Sequence, residues 1–261
     1  METDAATRRR LLEFEIGLDR AVTEEVREEE WGEAFLCPGL SLIWDNTWIA
    51  IERTEMGAEE VIELGDRVIG GAGFEHRTIV LCDEADGLRL APEFEDRPDW
   101  EVEIGRYMTW RGDTGRSAAA DVRETTLAEI LPLRRQFSRE DLPAGVARPE
   151  ETVEQLLELE GRYGEAGGDR WFVADGPDGP AAACRLLAGP GIQQVEDVAT
   201  LESARERGLA QSVVLTAIEE AQAADPELIF LVADGTDWPQ LMYSKLGFEP
   251  VGDLHILRRK P

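Results

Sequence analysis

The sequence predicts an α/β protein in two parts, and three observations carry that prediction. Short β-rich runs alternate with helix-periodic amphipathic runs along the chain. A polar break, Arg111-Gly112-Asp113-Thr114-Gly115, interrupts this alternation and marks a boundary, dividing the chain into 1–115 and 116–261. The order strand–helix–strand–helix–strand before the break returns late in the order after it, as a pattern without any sequence repeat. At 261 residues, 43% of them hydrophobic, the chain has enough apolar mass for a sizeable core.

The elements follow in order. The first thirty residues read as a helix, with Leu11, Leu12, Phe14, Ile16, Leu18, Val22 and Val26 as its apolar positions. "SLIWDNTWIAIE" reads as two β-rich runs about a hairpin turn at Asp45-Asn46. "GAEEVIELGDRVIGGAGF" is a helix stopped by its glycines. Gly70-Gly71-Ala72-Gly73 ends a helix instead of opening one, which argues against a dinucleotide loop. "RTIVLC" reads as a buried strand, "GLRLAPEF" as a helix and "WEVEIGRYMTW" as an alternating strand.

After the break, "DVRETT" is a strand and Thr126 caps the helix "LAEILPLRRQF", with Pro132 expected to kink it or end it early. "RPEETVEQLLELEGRY" is a helix with Pro149 in its first turn. "RWFVAD" and "AAACRLL" make a hairpin about Gly176-Pro177-Asp178-Gly179-Pro180. "IQQVEDVAT" is a strand, Leu209 to Ala223 an amphipathic helix, "LIFLVAD" a buried strand and "PQLMYSKLGF" a short helix. "EPVGDLHILRR" closes as one strand or a pair.

Composition excludes several function classes. A net charge of −28 lacks the basic face that nucleic acid requires and repels anionic membranes. No apolar run is long enough to span a bilayer, and "METDAATRRRLLEFEIGL" lacks the apolar core of a signal peptide, so a cytoplasmic protein is expected. Cys37, Cys82 and Cys184 are odd in number and far apart, without nearby His. They fit neither a disulfide framework nor a metal site and read as core. His76 and His255 have no triad partner in view and read as structural; Trp171 and Trp238 read as core aromatics.

The chemistry concentrates in Arg205-Glu206-Arg207-Gly208-Leu209-Ala210. A strand precedes it, and Leu209, Val213, Val214, Ala217, Ile218 and Ala221 stripe the helix that follows. The first turn of a helix has unpaired N–H groups and a positive dipole end, which favours an anion. Gly208 and Ala210 keep side chains clear of those donors, and Arg205 and Arg207 add charge.

This turn fits the pattern Gln/Arg-x-x-Gly-x-Gly/Ala. With "VEDVAT" before it, then "LVAD" and "YSKLGFEPVG" in order, the stretch from about Ala120 to the C-terminus resembles the GNAT acetyltransferase superfamily. The resemblance implies a mixed, mostly antiparallel sheet flanked by helices. The first half would be a second, degenerate unit without cofactor binding, giving a tandem protein. It implies acetyl-CoA as co-substrate, with Val198, Ala199 and Thr200 along its pantetheine arm and the amides of Glu206 to Gln211 on its pyrophosphate. Asp237 stands where the family often has a cofactor-contacting asparagine, whose amide donors a carboxylate lacks.

Tyr243 would protonate the departing thiolate, and Glu196 would take the amine's proton. Strand alternation puts Glu196 and Val198 on one face; a bulge would change that parity and make Asp197 the candidate. N–H groups near Val198 would stabilise the oxyanion. The implied reaction is acetyl transfer to a small-molecule or peptide amine, without metal; the resemblance also admits a homodimer. The alternative is a GNAT-like module that binds CoA or a partner without turnover.

Overall fold

In the computed structural model, which describes residues 4–112, 114–143, 145–146 and 148–261, helices and strands alternate over most of the chain. Asp113 of the boundary turn lies outside the described residues, as do the first three residues of the N-terminus. The chain divides into two compact units. The first comprises Met1–Tyr107, Ala233–Gln240 and Val251–Pro261; the second comprises Met108–Val232 and Leu241–Pro250. The expected single cut at 115/116 contrasts with these interleaved segments. The C-terminal strand joins the first unit from Val251 onward, because His255 to Arg259 pair with a strand formed some 180 residues earlier.

The first half contributes α1 (Asp4–Val22), β1 (Glu25–Glu29), β2 (Gly32–Leu36), β3 (Trp48–Ile51), α2 (Ala58–Gly65), β4 (Arg77–Leu81), α3 (Glu84–Glu95) and β5 (Glu101–Trp110). The second half contributes β6 (Val122–Thr125), α4 (Leu127–Asp141), α5 (Pro149–Gly167), β7 (Arg170–Gly176), β8 (Gly179–Gly189) and β9 (Ile192–Thr200). It continues with α6 (Leu209–Gln222), β10 (Leu228–Asp234), α7 (Pro239–Lys245) and β11 (Phe248–Arg259). No described helix is long and apolar enough to cross a membrane.

Two expectations for the first half are corrected. The N-terminal helix ends at Val22, and the acid-rich run after it is β1, paired antiparallel with buried β2. β1 is almost wholly exposed, so no apolar alternation announces it. Gly32 opens β2 with φ +140, and a Cβ there would stand 2.0 Å from the Ala50 carbonyl oxygen. Asp45-Asn46 is no hairpin: Trp44–Asn46 form a 3₁₀ turn, and only Trp48–Ile51 is a strand. The turn is fixed by distant partners, since Thr47 accepts from the Cys37 N–H through Oγ1 at 3.1 Å and lies 3.0 Å from His76 Nε2 through its carbonyl.

In the first unit the strand order is β1-β2-β3-β4-β11-β5, with β1–β2, β2–β3 and β4–β11 antiparallel and β3–β4 parallel. Its core joins Ile49 and Ile51 of β3, Val61 and Leu64 of α2, Phe94 of α3 and Leu257 of β11, none more than 2% exposed. The glycine cluster does close the α2 region, through a π-helical turn at Asp66–Gly70.

In the second unit the order is β10-β9-β8-β7-β6, antiparallel except for β9–β10. The β7–β8 hairpin and the α6 stripe stand where the pattern places them, with Val213, Val214, Ala217 and Ala221 fully buried. Helix α4 continues through Pro132 to Asp141, so the proline does not end it early. The proline removes one backbone bond, but Leu127, Ile130, Leu133 and Phe137 bury the helix face and hold it.

Candidate functional site

Each unit contains one parallel crossover, β3-α2-β4 in the first and β9-α6-β10 in the second. The turn after the leading strand differs sharply between them. In the second unit, β9 and β10 pair only at Ile192–Gln194 against Leu228–Phe230, yet β9 continues to Thr200. Beyond Gln194 the register of β10 on β9 ends among the described residues, and β9 passes from buried to half-buried at Glu196. The two strands therefore open a wedge with backbone donors and acceptors along one wall.

The turn lies at the mouth of this wedge. Glu206 and Gly208 take left-handed backbone, φ 62 and φ 75. The N–H groups of Glu206, Arg207, Gly208, Leu209, Ala210 and Gln211 donate to no described residue; the first to bond is Ser212, to the Gly208 carbonyl at 3.0 Å. The first turn of α6 holds no acid. A Cβ on Gly208 would meet only the Ala119 methyl, at 3.9 Å, so the space above the turn is open. Successive amides in this conformation form a concavity for an anion.

Arg205 reaches back to the Thr200 carbonyl at 3.3 Å and lies 3.6 Å from Glu202, whereas Arg207 is exposed and pairs with no described carboxylate. Thr200 keeps a buried Oγ1 without a partner.

Ser212, which the sequence pattern passes over as one position in a helix, organises this corner. Its buried Oγ accepts from the N–H groups of Ala119 and Ala120 at 3.0 and 3.1 Å and donates to the Gly208 carbonyl. Ser212→Ala strands two amides, and a chemical denaturation series is expected to show a loss of ~1–3 kcal/mol.

The first unit closes the corresponding features. β3 and β4 pair through Ile51–Leu81, and Cys82 N–H extends the ladder to the Ile51 carbonyl at 2.9 Å. Gly57 precedes α2 as Gly208 precedes α6, but its N–H donates to Glu60 at 2.9 Å. Thr54 N–H donates to Asp86 and Met56 N–H to the Thr54 hydroxyl, at 2.9 and 3.0 Å. The donors of Thr54, Met56 and Gly57 are thus satisfied from within, and Glu59 and Glu60 put negative charge in the first helical turn.

The predicted side chains fall as follows. Tyr243 is a buried ring set edge-to-face against Phe248, centroids 6.1 Å apart, and its hydroxyl bonds to no described residue. Burial, then the nearby charge of Glu196, raises its phenol well above the ordinary range. Glu196 is half-buried and accepts from Gln194 Nε2 at 2.7 Å. A bulge does occur on β9: Arg185 pairs with Glu196 and Ala183 with Ala199, leaving Asp197 and Val198 opposite Cys184 alone. Asp197, at φ 53, is bound by two arginines, Arg134 and Arg185. Sequence reasoning missed both arginines, which come from α4 and β8 and carry no local motif.

Asp237 lies in the first unit, exposed, and its carboxylate accepts from Trp238 N–H at 2.7 Å. Trp238 is 63% exposed, a correction to its expected core role. It sits just before a short helix with only Met242 and Tyr243 buried. Trp171 is buried as expected, as are the three free cysteines; burial pushes the Cys82 thiol up to about 12. His76 and His255 are also buried.

No protein-family model matches the sequence, and no curated protein is significantly similar to it. Solved structures are similar in fold. A functionally unknown conserved protein from Staphylococcus epidermidis superposes with a TM-score of 0.66 at 12% identity, over 91% of this chain and 94% of that one. A GCN5-related N-acetyltransferase from Kribbella flavida gives 0.61 at 15% identity, over 97% and 95%. A tandem GNAT protein from the clavulanic acid biosynthesis pathway gives 0.55 at 13%, over 87% and 77%. The two crossovers, the mostly antiparallel sheets and these likenesses together give the chain the GNAT acetyltransferase fold, in tandem.

Proposed function

We infer that the second unit is an acetyl-CoA-dependent N-acetyltransferase acting on a primary amine. One observation carries this reading: six consecutive unpaired amides, Glu206 to Gln211, stand at the mouth of the β9–β10 wedge. A donor set of that kind fits a pyrophosphate, the open space above Gly208 admits one, and β9 beyond its pairing with β10 fits an amide-bearing arm.

The amides of Glu206, Arg207, Gly208, Leu209, Ala210 and Gln211 would hold the pyrophosphate, with Arg205 and Arg207 adding charge. Val198, Ala199 and Thr200 would offer backbone groups to the pantetheine arm. When bound, acetyl-CoA supplies an activated acyl carbonyl and a thiolate leaving group.

Tyr243 holds a proton for that thiolate, since its raised pKa keeps the phenol neutral. Glu196 takes the proton of the incoming amine. Asp197 is the poorer base because two guanidiniums already hold its carboxylate. Asp237, turned to its own neighbour's N–H, has no part in this site. The first unit, with its turn closed by Glu60 and Asp86, serves as a non-binding partner unit. An acidic, cytoplasmic protein of this kind favours a cationic small-molecule or peptide acceptor, with nucleic acid and membrane excluded by charge. A homodimer accords with this reading.

Calorimetric titration with acetyl-CoA tests it, followed by thiol release across a panel of amines. Binding with amine-dependent release is expected. Absence of binding sinks the reading, and binding without release with any amine replaces it with a non-catalytic CoA-binding module.

A further inference from the structure

The second unit contains a charge cluster that no step above uses. Arg134 of α4 holds Glu160 of α5 through two bonds, 2.6 and 3.0 Å, and reaches Asp197 at 3.3 Å. Arg185 of β8 meets the other oxygen of Asp197 at 2.8 Å. Both guanidiniums lie over Trp171, 4.7 and 5.6 Å from its ring, and Arg185 also over Tyr163 at 5.1 Å. The arginine side chains are 8% and 6% exposed. Removing four charges from water is costly, and apolar residues of similar size often serve stability equally well. The cluster therefore calls for a role beyond stability.

Its location supplies one. Asp197 is the extra residue of the β9 bulge and sits in left-handed backbone, which a non-glycine residue adopts only when its surroundings hold it there. Glu196 lies directly before it, and Val198 to Thr200 directly after. In a regular strand Glu196, Val198 and Thr200 would share a face. With the bulge, Glu196 pairs with Arg185 and Ala199 with Ala183, so residues 196 and 199 share one instead. The same slip reverses which N–H groups beyond Asp197 point into the wedge.

We propose that Arg134 and Arg185 are positioning residues that pin Asp197, and so set the bulge that aims Glu196 and the Val198–Thr200 backbone at the reacting groups. This rests on the acetyltransferase reading for its activity readout but not for its structural one.

Two variants test it. Asp197→Asn keeps the shape and tolerates left-handed backbone but loses the charge. Asp197→Gly adopts that backbone freely and has nothing to pin. Both are expected to fold and still to bind acetyl-CoA, because the Glu206–Gln211 amides are untouched, but more weakly than wild type, because the Val198–Thr200 backbone is no longer aimed at the pantetheine arm. Both are expected to lose kcat by ~10- to 100-fold, with a smaller rise in KM for acetyl-CoA. Backbone amide NMR shifts of Val198, Ala199 and Thr200 should move in both variants.

Wild-type kcat together with unmoved shifts in Asp197→Gly would overturn the proposal. If wild-type protein neither binds acetyl-CoA nor releases thiol, the acetyltransferase reading fails, and the amide shifts alone decide whether Asp197 sets the bulge.

Discussion

Gly208→Glu is expected to raise the Kd for acetyl-CoA by at least ~100-fold, measured by calorimetry on protein with an unchanged circular dichroism spectrum. Two independent costs produce this. Gly208 has φ +75; with a side chain there the free turn relaxes, and restoring that backbone on binding costs roughly 1–2 kcal/mol. The carboxylate would also enter the concavity of six amides that the pyrophosphate needs. A like charge about 4 Å away costs up to about 4 kcal/mol at an effective dielectric of 20, and less with solvent access. Together these exceed the ~2.7 kcal/mol that a 100-fold change requires.

Gly208→Ala carries the strain without the charge and should weaken binding by about tenfold. Gly57→Ala in the first unit, where φ is an ordinary −81, should leave the Kd unchanged because Glu60 already occupies that helix terminus. A folded Gly208→Glu protein with wild-type affinity would show that no phosphate sits on this turn.

Tyr243→Phe is expected to lower kcat by ~10²–10³-fold at constant Kd for acetyl-CoA, the range for loss of a general acid. Phenylalanine keeps the edge-to-face packing on Phe248, so the change isolates the hydroxyl. Burial and the Glu196 charge hold the folded-state pKa above the free value near 10. The phenol stays protonated below that pH, and wild-type kcat should show no alkaline fall from this residue before about pH 10. The same shift means that any stability tied to the neutral phenol is present below pH 10 and lost as pH rises further. Unchanged kcat in Tyr243→Phe would reduce Tyr243 to a packing residue.

How much of this was readable in advance depends on how local each feature is. The α6 turn was legible because a strand, an Arg-rich turn, Gly208 and a helix stripe stand within thirty residues, each with its own local chemistry. The β7–β8 hairpin was legible for the same reason, through its Gly-Pro-Asp-Gly-Pro turn. The first-half errors concern segments whose state is set from a distance. β1 is a strand only because β2 pairs with it, and the Trp44–Asn46 turn is fixed by Cys37 and His76.

The sequence by itself determined the α/β class, the order of elements in the second half, the glycine-bearing turn before α6 and the identity of Tyr243 and Glu196 as candidates. Tertiary structure alone decided that β11 pairs with β4, that the first unit's turn is closed by its own carboxylates, and that Asp197 is a pinned bulge. The physical reason is separation along the chain. Caps, turns and periodic stripes are contacts between near neighbours. Arg134 and Asp197 stand 63 positions apart, and Arg258 and Thr78 180 apart, so only the folded backbone brings them together.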